Sequence, residues 1–414
     1  MTILASSAAS AATSDFAAFD RAARHGDRLT VVFFGASLTW GANASDQANT
    51  SYRARIAERL EAEYPKAHFR FYDAAIGGTG SQLGVFRLDR DVLRRKPDLV
   101  FLDFSANDDI YSDAPETLAS YESLVRRLVA EAGVPVIQMI FPFQWNVTQG
   151  NTDGMKRRDA HIAIAGAYHT AVGDAIVLLQ ERIKSGAVTP AQIWPADGVH
   201  PGDLGYSLFA EAGWLAYQDA VKRKLCCRAP DKMLYADTYM HQARVRVSTL
   251  YATNALPRGW HPGTPSLTAA WHDGLMSRWL DDIVFASNRE KTKGADGKDA
   301  NTPITPERLK ARFTGSMVML FGEGTTKSGQ YRVRIDGKVC TYVPWGKKES
   351  ADLFDASTKR FGGTIQHVQV IATGLDTGAE HTIEIEPLLA ADEEQELRLE
   401  SICVAGGDAR VRAF

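Results

Sequence analysis

The chain predicts a parallel α/β domain followed by an all-β domain, and three observations carry that reading. From about residue 29 to 224, short apolar runs alternate with longer amphipathic stretches, the pattern of βα units around a parallel sheet. After about residue 225 helical periodicity fades, and alternating strands with turn dipeptides replace it. The length, 414 residues, also exceeds what one ordinary core organises, at roughly 100–200 residues per domain. The boundary is expected near residues 225–235, giving domains of 1–228 and 229–414.

In chain order, Leu29–Phe34, Asp98–Phe104 and Val134–Ile140 are runs of the kind that form strands buried on both faces. Phe69–Ala74 is a more polar strand. Between them Ser51–Tyr64, Ser81–Arg95 and Glu116–Ala132 have helical spacing, with charges such as Arg53, Glu58 and Glu61 assigned to the outer face. A last helix begins after Pro201, where Leu204, Leu208, Ala212 and Leu215 recur at three or four residues. Lys222, Arg223 and Lys224 suit the dipole at its C-terminus.

In the second domain Gln330–Lys338 alternates Tyr331, Val333 and Ile335 against Arg332 and Arg334, then turns at Asp336-Gly337 as a hairpin does. His381–Glu386 and Leu397–Val404 continue the all-β character, which reads as a β-sandwich. Asn288–Pro303, rich in Lys, Gly, Asp and Asn, has no apolar anchor and is expected to be a mobile loop. Asp281-Asp282 reads as turn or surface charge, because adjacent strand residues point to opposite faces and make a poor catalytic pair.

Composition excludes several function classes. A formal charge of -3 leaves no basic excess for phosphate, so neither nucleic acid nor an anionic membrane is expected as a partner. No apolar run approaches the roughly 20 residues of a membrane span. Four cysteines make neither a disulfide framework nor a zinc spacing, and the redox compartment stays open. Cys340 and Cys403 read as small core residues. The N-terminal Met1–Ala12 is small and apolar but lacks the basic region and strong apolar stretch of a secretory signal. It reads as a loose tail or a trimmed end, and the lack of a clear signal slightly favours a cytoplasmic location over a periplasmic or secreted one.

The chemistry concentrates at four places. Leu29–Gly41 is a buried-strand run ending in a tight glycine turn that presents Ser37. Ala74–Ser81 supplies Gly78, Phe104–Asp108 supplies Asn107, and Asp197–Pro201 supplies an Asp-x-x-His pair, Asp197 and His200. In a parallel sheet, residues just past several strands share one rim, where ligands collect. A serine hydroxyl is a poor nucleophile until a base within about 2.6–3.2 Å takes its proton, and His200 is the candidate base. Pro201 disfavours helical backbone at His200, and Asp197 can accept its other ring N–H and stabilise the imidazolium. Backbone N–H groups of Ser37 and Gly78 and the Asn107 amide are candidate oxyanion donors. Singly each motif is also a helix cap or a turn; their joint order is the signal.

Together these motifs resemble the SGNH (GDSL-type) hydrolase family over residues 29 to about 215. The resemblance implies a three-layer α/β/α domain and ester hydrolysis through an acyl-serine, with no metal or organic cofactor. It implies Ser37 as nucleophile, His200 as base, Asp197 as its partner, and Gly78 and Asn107 as oxyanion residues. Two positions depart from the family's frequent pattern: Ala36 stands where Asp is common, and Ser105 where Gly is common.

With its appended β-sandwich the chain is similar to carbohydrate esterases, which implies an acetylated oligosaccharide or polysaccharide as partner. Trp40, Gln144 and Trp145 would suit a sugar ring, through a flat apolar face and an amide, or are ordinary rim packing. Trp271, Trp279 and Trp345 stand in the same position for the second domain. Two other readings remain at this point: a general short-chain or lipid esterase, and a non-catalytic sugar-binding protein on the same scaffold. No apolar lid segment of the kind a lipid esterase uses is found.

Overall fold

The computed structural model describes residues 15–252, 255–266, 280–293, 299–344, 347–359 and 363–414. The chain forms two units, Met1–Ala236 and Asp237–Phe414. The division falls after Ala236 rather than after 228, because the intervening backbone belongs to the first unit. The N–H groups of Leu234 and Tyr235 donate to the two carboxylate oxygens of buried Glu122, at 2.8 and 2.7 Å.

The first unit opens with α1 (Phe16–His25), β1 (Arg28–Gly35), α2 (Ser37–Trp40), α3 (Tyr52–Glu63), β2 (His68–Ala75) and α4 (Ser81–Asp91). It continues with β3 (Leu99–Leu102), α5 (Pro115–Arg126), β4 (Val136–Ile140), α6 (Gln144–Thr148), α7 (Lys156–Tyr168) and β5 (Ala171–Asp174). It closes with α8 (Ala175–Lys184), α9 (Pro190–Ile193) and α10 (Asp203–Lys222). The five strands form one sheet in the order β2-β1-β3-β4-β5, every pair parallel. Every residue of β3 and β4 is buried, as strands covered on both faces require. The strand order reverses between β1 and β3, so the crevice at their carboxyl ends is where a ligand site is expected in such a sheet.

Two helix assignments needed correction. Arg53 does not lie on an outer face: its side chain is largely buried, with Nε 2.7 Å from the buried Asp73 carboxylate. In α10 Leu208 and Ala212 are buried, but Leu204 and Leu215 are exposed. The buried stripe also runs through Tyr206, Phe209, Gly213 and Tyr217, and the rings of Tyr206, Phe209 and Tyr217 are buried.

The second unit contains β6 (Gln242–Arg246), α11 (Val247–Leu250), β7 (Trp260–Gly263), β8 (Ile283–Ser287), β9 (Arg289–Lys293) and β10 (Asp299–Pro303). Then come β11 (Leu309–Thr314), β12 (Met317–Thr325), β13 (Gln330–Ile335), β14 (Lys338–Val339) and β15 (Phe354–Asp355). The last four are β16 (Thr364–Ala372), β17 (His381–Leu388), β18 (Glu396–Ala405) and β19 (Arg410–Ala413). One antiparallel sheet runs β14-β13-β17-β11-β19, with β15 on β13; the other runs β16-β12-β18-β8-β7, with β6 on β18. Leu309, Phe313, Val333 and Ile385 of the first share a core with Leu320, Leu399, Ile402 and Val404 of the second, the arrangement of a β-sandwich.

The Asp336-Gly337 turn joins β13 to β14, both residues having positive φ (50° and 77°) as a two-residue hairpin demands. The expected loop at Asn288–Pro303 is not one: β9 and β10 pair antiparallel from Pro303↔Arg289 to Asp299↔Lys293. Backbone pairing needs no apolar side chain, so composition concealed this ribbon. Asp281 is exposed, and Asp282 lies 3.6 Å from Arg246. All four cysteines are unpaired, with Cys403 buried in β18 and Cys340 half-buried. Met1–Ala12, Trp271, Trp279 and Trp345 lie outside the described residues. No described helix is long and apolar enough to cross a membrane.

Candidate active site

The site is built where β1, β2 and β3 end side by side. Register places Gly35 of β1 opposite Ala75 of β2, and Phe34 opposite Leu102 of β3. Ser37, Gly78 and Asn107 therefore follow three neighbouring strand ends within a few residues of the same rim. Gly35 is required there for close approach: a Cβ would stand 2.2 Å from Thr39 Oγ1 and 2.7 Å from the Asp103 carbonyl oxygen. The tight turn delivers Ser37 as the first residue of α2, half-buried.

Arg87 fastens two of these strand ends from inside. Its fully buried guanidinium, donated by α4, reaches the carbonyl oxygens of Ala74 at 2.5 Å and Gly35 at 2.7 Å. It also lies 4.4 Å over the Phe34 ring and 3.2 Å from the Asp91 carboxylate. A buried arginine costs desolvation unless satisfied, and here carbonyls, a carboxylate and an aromatic face satisfy it.

His200 arrives from the loop before α10. Its Nε2 lies 3.0 Å from Ser37 Oγ, and its Nδ1 lies 3.6 Å from Asp197 Oδ2. The first is a hydrogen bond; the second is an ion-pair separation. Asp197 shapes the turn that holds both: its Oδ1 accepts the backbone N–H of Val199 and of His200, each at 2.7 Å. Its Oδ2 accepts the Asn43 amide at 2.7 Å. Burial pushes the Asp197 carboxyl up. The His200 N–H, the Asn43 amide and the Val199 N–H outweigh this and hold it below the usual carboxylate range. Burial of His200 lowers its pKa from the ordinary histidine value, a shift that the Asp197 charge partly offsets. An imidazole kept neutral beside a hydroxyl is equipped to take a proton from it.

The two expected oxyanion residues sit on loops that are tied together. Gly78 has φ 72°, a left-handed conformation that glycine adopts without strain. The neighbouring Gly77 is packed close enough that a Cβ on it would stand 3.6 Å from Ser37 Cβ. Asn107 is half-buried, and the next residue, buried Asp108, accepts the N–H of Ser81 at the start of α4 at 3.0 Å. Asp108 thus bridges from the Asn107 loop to the segment that follows Gly78. It acts as a helix cap, but on a helix 27 residues earlier in the chain.

Gln144 and Trp145 are brought to the same rim. Gln144 N–H donates to the Gly198 carbonyl at 2.8 Å, and a Cβ on Gly198 would meet Gln144 Oε1 at 3.1 Å and Trp145 Cζ3 at 3.4 Å. Trp145 is 50% exposed while packed at a tilt on Phe143, which leaves part of its indole face to solvent. Trp40 is half-buried in α2, and its carbonyl oxygen accepts from Arg53 at 3.2 Å. Asn43, Arg87 and Asp103 were not foreseen. Each meets at least one partner far away in sequence, Asp197 for Asn43, the Gly35 carbonyl for Arg87 and Thr39 for Asp103, and only the Gly41-Ala42-Asn43 turn composition hinted at the first.

Asp103, at the end of β3, is buried and faces no counter-charge. It accepts the Ser105 N–H and hydroxyl at 3.2 Å and the Thr39 hydroxyl at 3.4 Å. Burial pushes its carboxyl up from 3.8 to about 7 despite these donors. A group whose folded pKa is raised gives its full stabilisation below the unfolded value and loses it as pH rises through the folded value. Asp103→Asn is therefore expected to gain stability over the wild type between about pH 4 and pH 7. The gain approaches about 1.4 kcal/mol per pH unit within that window and is constant above it. Thermal melts of both proteins across pH check this; parallel curves would refute it.

Residues 33–208 match the model of the GDSL-like Lipase/Acylhydrolase family. Among solved structures, a two-domain esterase (CEX) active on acetylated mannans, co-crystallised with mannopentaose, is similar at 20% identity. The match covers 95% of this chain and 94% of that one, with a TM-score of 0.69, a likeness of fold through both units. Axe2, an acetylxylan esterase from Geobacillus stearothermophilus, is 25% identical over 47% of this chain and 96% of its own, with a TM-score of 0.38. No curated protein matches the chain by sequence.

Proposed function

We propose that the first unit, whose residues 33–208 match the GDSL-like lipase/acylhydrolase model, makes this protein a serine esterase removing O-acetyl groups from carbohydrate through an acyl-enzyme. The observation that carries the mechanism is the 3.0 Å separation of His200 Nε2 and Ser37 Oγ. His200 takes the hydroxyl proton as Ser37 Oγ bonds to the ester carbonyl carbon. The resulting oxyanion is received by the N–H groups of Ser37 and Gly78 and by the Asn107 amide. Collapse breaks the bond to the sugar oxygen, which leaves with the proton from His200. Water then adds to the acetyl-serine carbonyl with His200 taking its proton, and the bond from the acyl carbon to Ser37 Oγ breaks as His200 returns that proton to Oγ, releasing acetate.

The carbohydrate assignment rests on two supports. Trp145 offers a half-open indole face beside the Gln144 amide, both against the Asp197–His200 turn, a pairing suited to stacking on a sugar ring and binding its hydroxyls. The two-domain esterase of the same fold acts on acetylated mannans, which makes an acetylated manno-oligosaccharide the first substrate to try.

The test is a series of p-nitrophenyl esters together with acetate release from acetylated manno- and xylo-oligosaccharides. The specificity constant should be highest for acetyl and fall steeply by butyryl. An acyl pocket would instead contribute about 0.8 kcal/mol per buried methylene, roughly a fourfold rise for each. A rising trend to octanoyl would turn the assignment to a lipid esterase. Hydrolysis of no ester at all would leave a binding protein.

A further inference from the structure

The loop that leaves α2, the helix carrying Ser37, is fastened to the first turn of α10 and to the His200 loop before it. Ser45 donates its N–H and hydroxyl to Asp203 at 2.8 and 2.5 Å, and the Thr50 hydroxyl donates to the same carboxylate at 2.8 Å. Tyr206 donates its hydroxyl to the Ala42 carbonyl at 2.6 Å. The tie nearest the chemistry is Asn43, whose amide reaches Asp197 Oδ2 at 2.7 Å and the His200 carbonyl oxygen at 3.4 Å. Asn43 has φ 67°, a left-handed conformation that asparagine tolerates better than most residues.

The same carboxylate oxygen that Asn43 holds at 2.7 Å is the one that stands 3.6 Å from His200 Nδ1. Asp197 Oδ1 is already committed to two backbone N–H groups. Asn43 and His200 therefore compete for one oxygen. We propose that Asn43 is a positioning residue for this reaction: its amide holds Asp197 Oδ2 at a set distance from the imidazole and limits how strongly the carboxylate charge favours the protonated histidine. The inference rests on the serine-esterase reading of the site.

The charged and titratable surroundings of His200 leave Asp197 as the group through which such an effect would act. From its own loop it faces Asp197. From α2 it faces the uncharged Ser37. On α10 Asp203 is occupied by Ser45 and Thr50, and the Tyr206 hydroxyl by Ala42. Behind them Arg53 of α3 is paired with Asp73, and Asp103 is buried among Thr39 and Ser105.

Asn43→Gly removes the amide and keeps a backbone conformation that glycine adopts freely. Asn43→Asp keeps the side-chain shape and replaces the donor with a charge. Both should lower kcat, by up to about a hundredfold for a misplaced general base, with KM little changed. In both, the acid limb of the kcat/KM profile should move to higher pH, further for Asn43→Asp, because more negative charge then falls on the imidazole. A role confined to loop stability would lower the melting temperature without moving the limb. Wild-type kcat and an unmoved limb in Asn43→Gly, or a change in KM alone, would overturn the proposal. Ser37→Ala run in parallel separates the two failures. An active Ser37→Ala overturns the serine reading itself, whereas an inactive one beside a wild-type-like Asn43→Gly overturns the positioning role alone.

Discussion

Ser37→Ala is expected to abolish ester hydrolysis, with a loss on the order of 10⁵ or more in kcat, while the melting temperature stays where it is. The substitution deletes one half-buried hydroxyl whose hydrogen bond goes to His200, and it leaves Gly35, Thr39 and the buried residues of β1 untouched. A change of that kind moves stability by no more than about 0.5 kcal/mol. Turnover of p-nitrophenyl acetate and a calorimetric melt measured on one preparation decide the matter. Near wild-type turnover in a normally melting variant would remove Ser37 from the mechanism.

His200→Ala should be almost as severe, and the double variant with Ser37→Ala no worse than either single one, because residues that act as a unit lose their effect together. Multiplying losses would assign them separate roles. The pH profile adds a signed check. Burial lowers the His200 pKa, so the acid limb of kcat/KM should lie below pH 6.5, about where an unperturbed histidine titrates. Asp197→Asn takes away the charge that opposes this shift and should move the limb lower still, while depressing the plateau by on the order of 10⁴. An acid limb that rises in Asp197→Asn would mean that another group is titrating.

The parallel sheet was legible because β1, β3 and β4 are buried on both faces and so read as apolar runs without alternation. β5 was not, since Ala171–Asp174 is four residues at the sheet edge with only alternate positions buried. The polar ribbon of β9 and β10 escaped for the opposite reason, since its sequence has no apolar run and backbone pairing needs none. Of the candidate site residues, Ser37, Gly78 and Asn107 were legible as turn chemistry just past strands, and Asp197 and His200 as an Asp-x-x-His turn before the last helix. What stayed hidden depends on meetings across the chain: Asn43 with Asp197, Asp108 with Ser81, Arg87 with two carbonyls. Arg53 illustrates the limit well. On helical spacing it belongs outside, and only the proximity of Asp73 from the next strand explains why a guanidinium turns inward.

Ser37 lies one strand from the beginning of the described chain, while His200 stands at the head of the unit's final helix, 163 residues later. During vectorial synthesis the sheet from β1 to β5 has all emerged before the histidine does, so on the proposed serine-esterase reading hydrolysis waits until the His200 loop is seated over Ser37. Domains tend to acquire structure from the N-terminus as they are made, so hydrolytic competence is the last property this unit gains. On that reading an excursion confined to the His200 loop silences the serine while the five strands remain paired. Activity, on the same reading, reports on the seating of that loop more sensitively than on the melting of the fold.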